Sequence, residues 1–141
     1  MLVIDASVAV KFLAKEPGQS EALARIRSEP TLVAPDWILI EVGHALWRKA
    51  KAGELLQSDI DEGMAALPRF FETLEGSAQQ LPAAMRLAVE IDHWVYDCIY
   101  LATAMAVGGR LLTADRKFWN AARRSGHGDH VELLTWAGGE Q

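Results

Sequence analysis

Long apolar runs are missing from this chain. None of its hydrophobic stretches is long enough to span a bilayer, which excludes a membrane-spanning role. The first residues, Met1-Leu2-Val3-Ile4-Asp5, lack the basic leader and extended apolar region of a signal peptide, so the cytoplasm is the expected compartment. Cysteine is nearly absent: Cys98 stands alone, no internal disulfide can form, and this agrees with a reducing environment. Positive charge is also scarce, with 14 Lys and Arg against 19 Asp and Glu and a net charge of −5. That balance excludes a protein that coats nucleic acid by bulk electrostatics, which needs many phosphate contacts. Contact with nucleic acid would have to be local, through clusters such as Arg48, Lys49 and Lys51 or Arg116, Lys117, Arg123 and Arg124. No Pro-rich, Gly/Ser-rich or single-charge segment marks a linker, and no period repeats. A single domain over 1–141 is therefore expected.

What is present is a core. Half of the 141 residues are hydrophobic and 23% are charged. Leu2 to Ile4 reads as a first strand, followed by helices over Ser7 to Leu13 and Ser20 to Ser28, with Pro17-Gly18 between them. Thr31 to Val33 suits a second strand, and Asp36 is a good N-cap for a long helix through Lys51 that stops at Gly53. Ser58 and Asp59 open a helix toward Phe71 that Pro68 can kink, and Glu72 to Leu74 suits a third strand. A helix from Pro82 to Ile91 follows. Asp97 opens an Ala-rich helix ending at Gly108-Gly109, Arg110 to Thr113 forms a fourth strand, Asp115 opens another helix, and Val131 to Leu134 is the last strand. Alternating strands and helices imply right-handed crossovers and a mainly parallel sheet with helices on both faces. In the order 3-2-1-4-5, the crevice lies between the first and fourth strands, which deliver Asp5 and Asp115.

Four acids therefore stand out: Asp5, Glu41, Asp97 and Asp115. Asp5, Asp97 and Asp115 sit where a helix starts, so each can also serve as a cap or complement the helix dipole. Glu41 cannot be a cap. It lies inside a helix among Ile38, Ile40, Val42 and Ala45, on or beside a face that ought to be buried, where an unpartnered carboxylate is costly and an ion pair with Arg48 is the plain alternative. If all four converge, like charges about 4 Å apart repel by ~1 kcal/mol in water and ~4 kcal/mol at an intermediate dielectric constant. A hard divalent cation offsets this. An oxygen-only set without a Cys or His cluster favours Mg²⁺, or Mn²⁺ in its place, over Zn²⁺, and such an ion can hold a phosphodiester and activate water.

The segments Val3-Ile4-Asp5-Ala6-Ser7, Pro35-Asp36 to Glu41-Val42-Gly43-His44-Ala45-Leu46, Tyr96-Asp97-Cys98-Ile99-Tyr100-Leu101-Ala102 and Leu112-Thr113-Ala114-Asp115-Arg116-Lys117-Phe118 together resemble the PIN-domain nucleases, specifically VapC-type toxins of toxin-antitoxin systems. The resemblance covers nearly the whole chain. It implies an α/β/α sandwich, Mg²⁺- or Mn²⁺-dependent endoribonuclease activity and inhibition by a VapB-type antitoxin. It maps the catalytic and metal-binding quartet onto Asp5, Glu41, Asp97 and Asp115, with Ser7 and Thr113 as supporting hydroxyls. Where some relatives carry a fifth acid, this chain has Arg116 and Lys117, which weakens the case for a second metal. The family also docks its antitoxin near the first helices, so outward projection of Val8, Phe12, Leu13 and Leu23 would supply that groove, alongside a homodimer.

Other residues carry less. His44, one turn after Glu41, suits a supporting role. His127 and His130 suggest zinc only weakly without a third ligand. Cys98 reads as a small core residue, and Lys11, Arg48, Arg116 and Lys117 as cations near the pocket. The five tryptophans, at apolar spacings, read as core or interface anchors, and none is assigned to RNA. Three other readings are weaker. A haloacid-dehalogenase-like enzyme expects an aspartate where Ser7 stands, a receiver-like signalling domain expects paired acids and a late lysine, and an inactive PIN-like binding module does not need the complete quartet.

Overall fold

The computed structural model of the protein describes residues 1–139. The chain runs β1 (Leu2–Ile4), α1 (Ala6–Leu13), α2 (Gln19–Arg27), β2 (Leu32–Pro35), α3 (Trp37–Lys51), α4 (Gln57–Ala66), a 3-10 turn (Leu67–Phe70), β3 (Thr73–Glu75), α5 (Ser77–Ile91), α6 (Val95–Ala106), β4 (Arg110–Thr113), α7 (Arg116–Arg124), a short turn (Gly128–His130) and β5 (Val131–Leu133). The five strands form one parallel sheet in the order β3-β2-β1-β4-β5, as the sequence implied. Strand order fixes the layers: crossovers from β1 to β3 travel one way and those from β3 to β5 the other, so right-handed connections put α1–α4 on one face and α5–α7 on the opposite face. The central strand is fully enclosed, with Leu2, Val3 and Ile4 at 0% exposure.

Register between β1 and β4 places the site. Ile4 pairs with Leu112, so the next residue, Asp5, falls beside Thr113 at the carboxyl ends of both strands. Close approach at the opposite end requires Gly109, because a Cβ there would stand 2.6 Å from the Met1 carbonyl oxygen. No helix among the described residues is long and apolar enough to cross a membrane.

Several boundaries differ from the sequence expectation. Helix α5 starts at Ser77 and carries Pro82 inside it. A proline so near a helix start removes only one backbone bond, and the start is anchored from outside: Ser77 N donates to Asp36 Oδ1 (3.1 Å), while Trp37 N donates to Ser77 Oγ (2.9 Å). Asp36 thus caps a neighbouring helix, with no side-chain bond to its own. Helix α6 begins two residues before Asp97, after Trp94, so Asp97 lies in its first turn. The expected outward projection on the first helices is not found. Val8 and Phe12 are buried, Phe12 packs on Phe70 with centroids 4.7 Å apart, and Leu13 and Leu23 rest against the core. The apolar surplus of α1 and α2 is absorbed by internal packing.

Candidate acidic metal site

Asp5 closes β1 and caps α1. Its Oδ1 accepts from Val8 N (3.2 Å) and the Ser7 hydroxyl, and its Oδ2 accepts from the Thr113 hydroxyl. These bonds stabilise the charged form, yet burial outweighs them and, with Asp97 nearby, lifts the carboxyl from its ordinary 3.8 to about 7. The turn after β4 repeats the design: Asp115 Oδ1 accepts from Phe118 N (3.1 Å) and caps α7. The two turns are stitched together, since Ala114 N donates to Ser7 Oγ (2.9 Å) and Asp115 N to Thr113 Oγ1 (3.1 Å). Ser7 and Thr113 therefore bridge the crevice.

Glu41 is placed by its own helix. Trp37, one turn earlier on α3, donates its indole N–H to Glu41 Oε1 (2.6 Å), and no ion pair with Arg48 forms among the described residues. Burial raises the Glu41 carboxyl above its usual range, and Asp97 adds to the rise. Asp97 is raised in turn, by burial first and by Asp115 as well, against the lowering effect of His93. His93 Nε2 lies 2.7 Å from Asp97 Oδ2, and its ring leans on Phe118. His93, Asp97 and Asp115 each offer a ligand atom within 4.8 Å of the others. Sequence reasoning missed His93, whose spacing to Asp97 matters only because α6 starts between them. Its nitrogen stands among the oxygen donors of the site and meets Asp97.

A cavity of about 270 Å³ is lined by Glu41, His93, Trp94, Tyr96, Asp97, Asp115 and Lys117. Asp5 is buried and does not line this cavity, but Asp97 is close enough to act on its charge. The Tyr100 hydroxyl is buried beside Glu41, and burial first, then the charges of Glu41, Asp5 and Asp97, push its ionisation far up. Raised carboxyls at Asp5, Glu41 and Asp97, with Asp97 and Asp115 able to place ligand atoms within 4.8 Å of each other, fit a divalent cation and its attendant waters. A second groove, about 610 Å³, opens on the other side of Glu41 between α1 and α3, and Ser7, His44, Arg48 and Lys49 are among its lining.

The remaining sequence candidates fall elsewhere. His44 is exposed and stacks on Trp47. Lys11 is buried, bonds to the Pro17 carbonyl (2.9 Å) and covers the Trp136 ring, which makes it a structural cation. His127 meets Glu90 (2.8 Å), and no third ligand joins it and His130 among the described residues. Cys98 is fully buried and its thiol is pushed up to about 12. Of the tryptophans, Trp47 and Trp94 are not core: they are 50% and 70% exposed.

Comparison with known proteins places this geometry in a family. The PIN-domain model matches residues 2–124. Ribonuclease VapC3 of Pyrobaculum aerophilum is 32% identical, covering 82% of this chain and 90% of its own. Ribonuclease VapC12 of Mycobacterium tuberculosis is 30% identical, covering 95% and 99%. The crystal structure of PAE2754 from Pyrobaculum aerophilum superposes with a TM-score of 0.67 at 24% identity, over 89% of this chain and 86% of that one, which supports the fold. The chain belongs to the PIN-domain family, among its VapC-type ribonucleases.

Proposed function

We propose that residues 1–141 act as a single PIN domain, an Mg²⁺- or Mn²⁺-dependent endoribonuclease toxin held in check by a VapB-type antitoxin. The observation that supports the metal is the approach of Asp97 and Asp115, whose ligand atoms lie with that of His93 within 4.8 Å of one another, beside the Asp5 and Glu41 carboxyls that burial raises. Asp5, Asp97 and Asp115 would hold the ion, with Glu41 reaching it through water. When bound, the ion supplies charge stabilisation for a phosphodiester and favours deprotonation of water.

The chain's own groups do the rest. Glu41, steadied by Trp37, orients the attacking water and accepts its proton while the water oxygen bonds to phosphorus and the bond to the leaving oxygen breaks. The leaving oxygen takes its proton from solvent. Ser7 and Thr113 hold Asp5 against the opposite strand, and His93 holds Asp97. Lys117 at the rim, and His44 and Arg48 in the adjoining groove, suit the phosphates of a strand passing over Glu41. Ser7, His44 and Arg48 lie on the α1–α3 side, where an antitoxin segment would block the same path.

A homodimer is supported by a different surface: Leu81, Met85 and Val89 recur every fourth residue along α5 and are 42%, 51% and 84% exposed. The test of the nuclease is cleavage of a mixed RNA pool by purified protein with Mg²⁺ or Mn²⁺. EDTA and Asp5→Asn should each abolish it; hydrolysis that survives both sinks the proposal. Sedimentation at micromolar concentration checks the dimer, and a monomer there rejects it.

A further inference from the structure

We infer that Trp94 and Tyr96 form a stacking platform for one unpaired nucleobase next to the scissile phosphate. The inference rests on the nuclease reading of the acidic site and adds the part of the substrate that the acids do not touch. Both rings lie just before Asp97 in sequence, line the same cavity as Glu41 and Asp115, and remain 70% and 51% exposed. Tyr96 is not a loose surface ring. It stacks on Trp37 with centroids 5.2 Å apart and an angle of 12°, and Trp37 is itself bonded to Glu41, so the tyrosine is tied to a carboxylate of the site. A ring already fixed loses little freedom when a second plane lies against it. Trp94, at the start of α6, presents a large indole to solvent on the wall of the same pocket, with a π-face open to a planar ligand.

The chemistry of the rim selects the occupant. Single-stranded RNA is recognised by splaying bases onto aromatic side chains, while its phosphates are met by cations, and Lys117 stands on this same rim. The cavity, about 270 Å³, falls below the ~300–1,000 Å³ typical of sites that enclose a whole small molecule, and suits one nucleotide of a longer strand. Stacking is indifferent to base identity, so the platform would fix the strand's position and leave base preference to other contacts.

The test measures binding of a fluorescently labelled, random-sequence single-stranded RNA in EDTA, by anisotropy, for wild type, Trp94→Ala, Trp94→Phe and Trp94→Leu. Trp94→Ala should weaken binding roughly 5- to 150-fold, the range that loss of one base–aromatic stack gives. Trp94→Phe should restore most of the loss and Trp94→Leu little, while Mn²⁺ affinity by calorimetry stays at the wild-type value in all three. Trp94 is exposed, so these variants should fold, and circular dichroism checks that they do. Unchanged RNA binding in Trp94→Ala overturns the inference, as does rescue by Leu equal to that by Phe. A loss confined to self-association or to antitoxin binding overturns it too, in favour of a protein-docking surface. Wild type that binds RNA in this ring-dependent way but never cleaves it would reject the nuclease reading and leave the platform standing.

Discussion

The turns after β1 and β4 carry the same local signal, a buried strand ending in an aspartate that caps the next helix, and yet their acids have different fates. Asp5, following the central strand, is 5% exposed and accepts three bonds; Asp115, following a strand nearer the edge, is half-buried and accepts one from its own helix. Burial is therefore what converts a capping residue into an electrostatically strained one. The strain is removed by neutralising the carboxyl or by supplying a cation.

Substitution by asparagine separates the two turns most sharply. Asp5→Asn and Asp115→Asn should both weaken Mn²⁺ binding and RNA cleavage by more than the ~10–100-fold that follows loss of a ligand's supporting partner. Their stabilities should diverge: Asp5→Asn raises the melting temperature of the metal-free protein at pH 8, where burial makes the charged Asp5 carboxyl costly. Asp115→Asn leaves it nearly unchanged, since asparagine caps helices as well as aspartate does. Calorimetric melting of both variants decides the matter, and a destabilised Asp5→Asn would contradict the strained-acid account.

Acidity should blur the contrast. The folded Asp5 carboxyl keeps its proton up to about pH 7, whereas the unfolded one releases it near 3.8, so the folded state binds more protons between those values. Metal-free stability accordingly falls as pH rises from about 4 to 7, and metal affinity rises over the same range. Saturating Mn²⁺ should flatten the stability slope, as thermal melts across that window would reveal. Thr113→Val, which removes the donor to Asp5 Oδ2, should raise the Asp5 carboxyl further and lower Mn²⁺ affinity ~10–100-fold. Gly109→Ala acts on the fold alone: overpacking against Met1 should cost ~1–3 kcal/mol in urea unfolding with Mn²⁺ affinity unaltered.

Much of this frame was legible before folding. Strand–aspartate–helix junctions at Asp5 and Asp115 announce themselves because the apolar run and the cap are adjacent, and the mainly parallel sheet followed from alternation, within which the order 3-2-1-4-5 expected here is the one found. The start signals at Pro82 and Asp97 misled, because both residues favour helix beginnings but also occur a few residues inside one, where Pro82 gives up one backbone bond. His93 was invisible for the same reason. Pairing of Thr113 with Asp5 required the β1–β4 register, which no local pattern encodes. Surface placement of Trp94 is likewise a tertiary outcome: its apolar neighbours in sequence predict burial, and only the position of α6 at the mouth of the crevice leaves it outside.

The exchange between Asp36, Trp37 and Ser77 gives the acidic pocket a mechanical dependence on a clasp between two helix starts. It ties the first turn of α3, one turn before Glu41, to the first turn of α5, the helix that packs most extensively on the Asp97-bearing α6. Glu41 and Asp97 therefore share one anchorage although 55 residues of chain separate them. Loosening a half-buried serine would let two acids drift relative to each other while the core beneath them stayed intact.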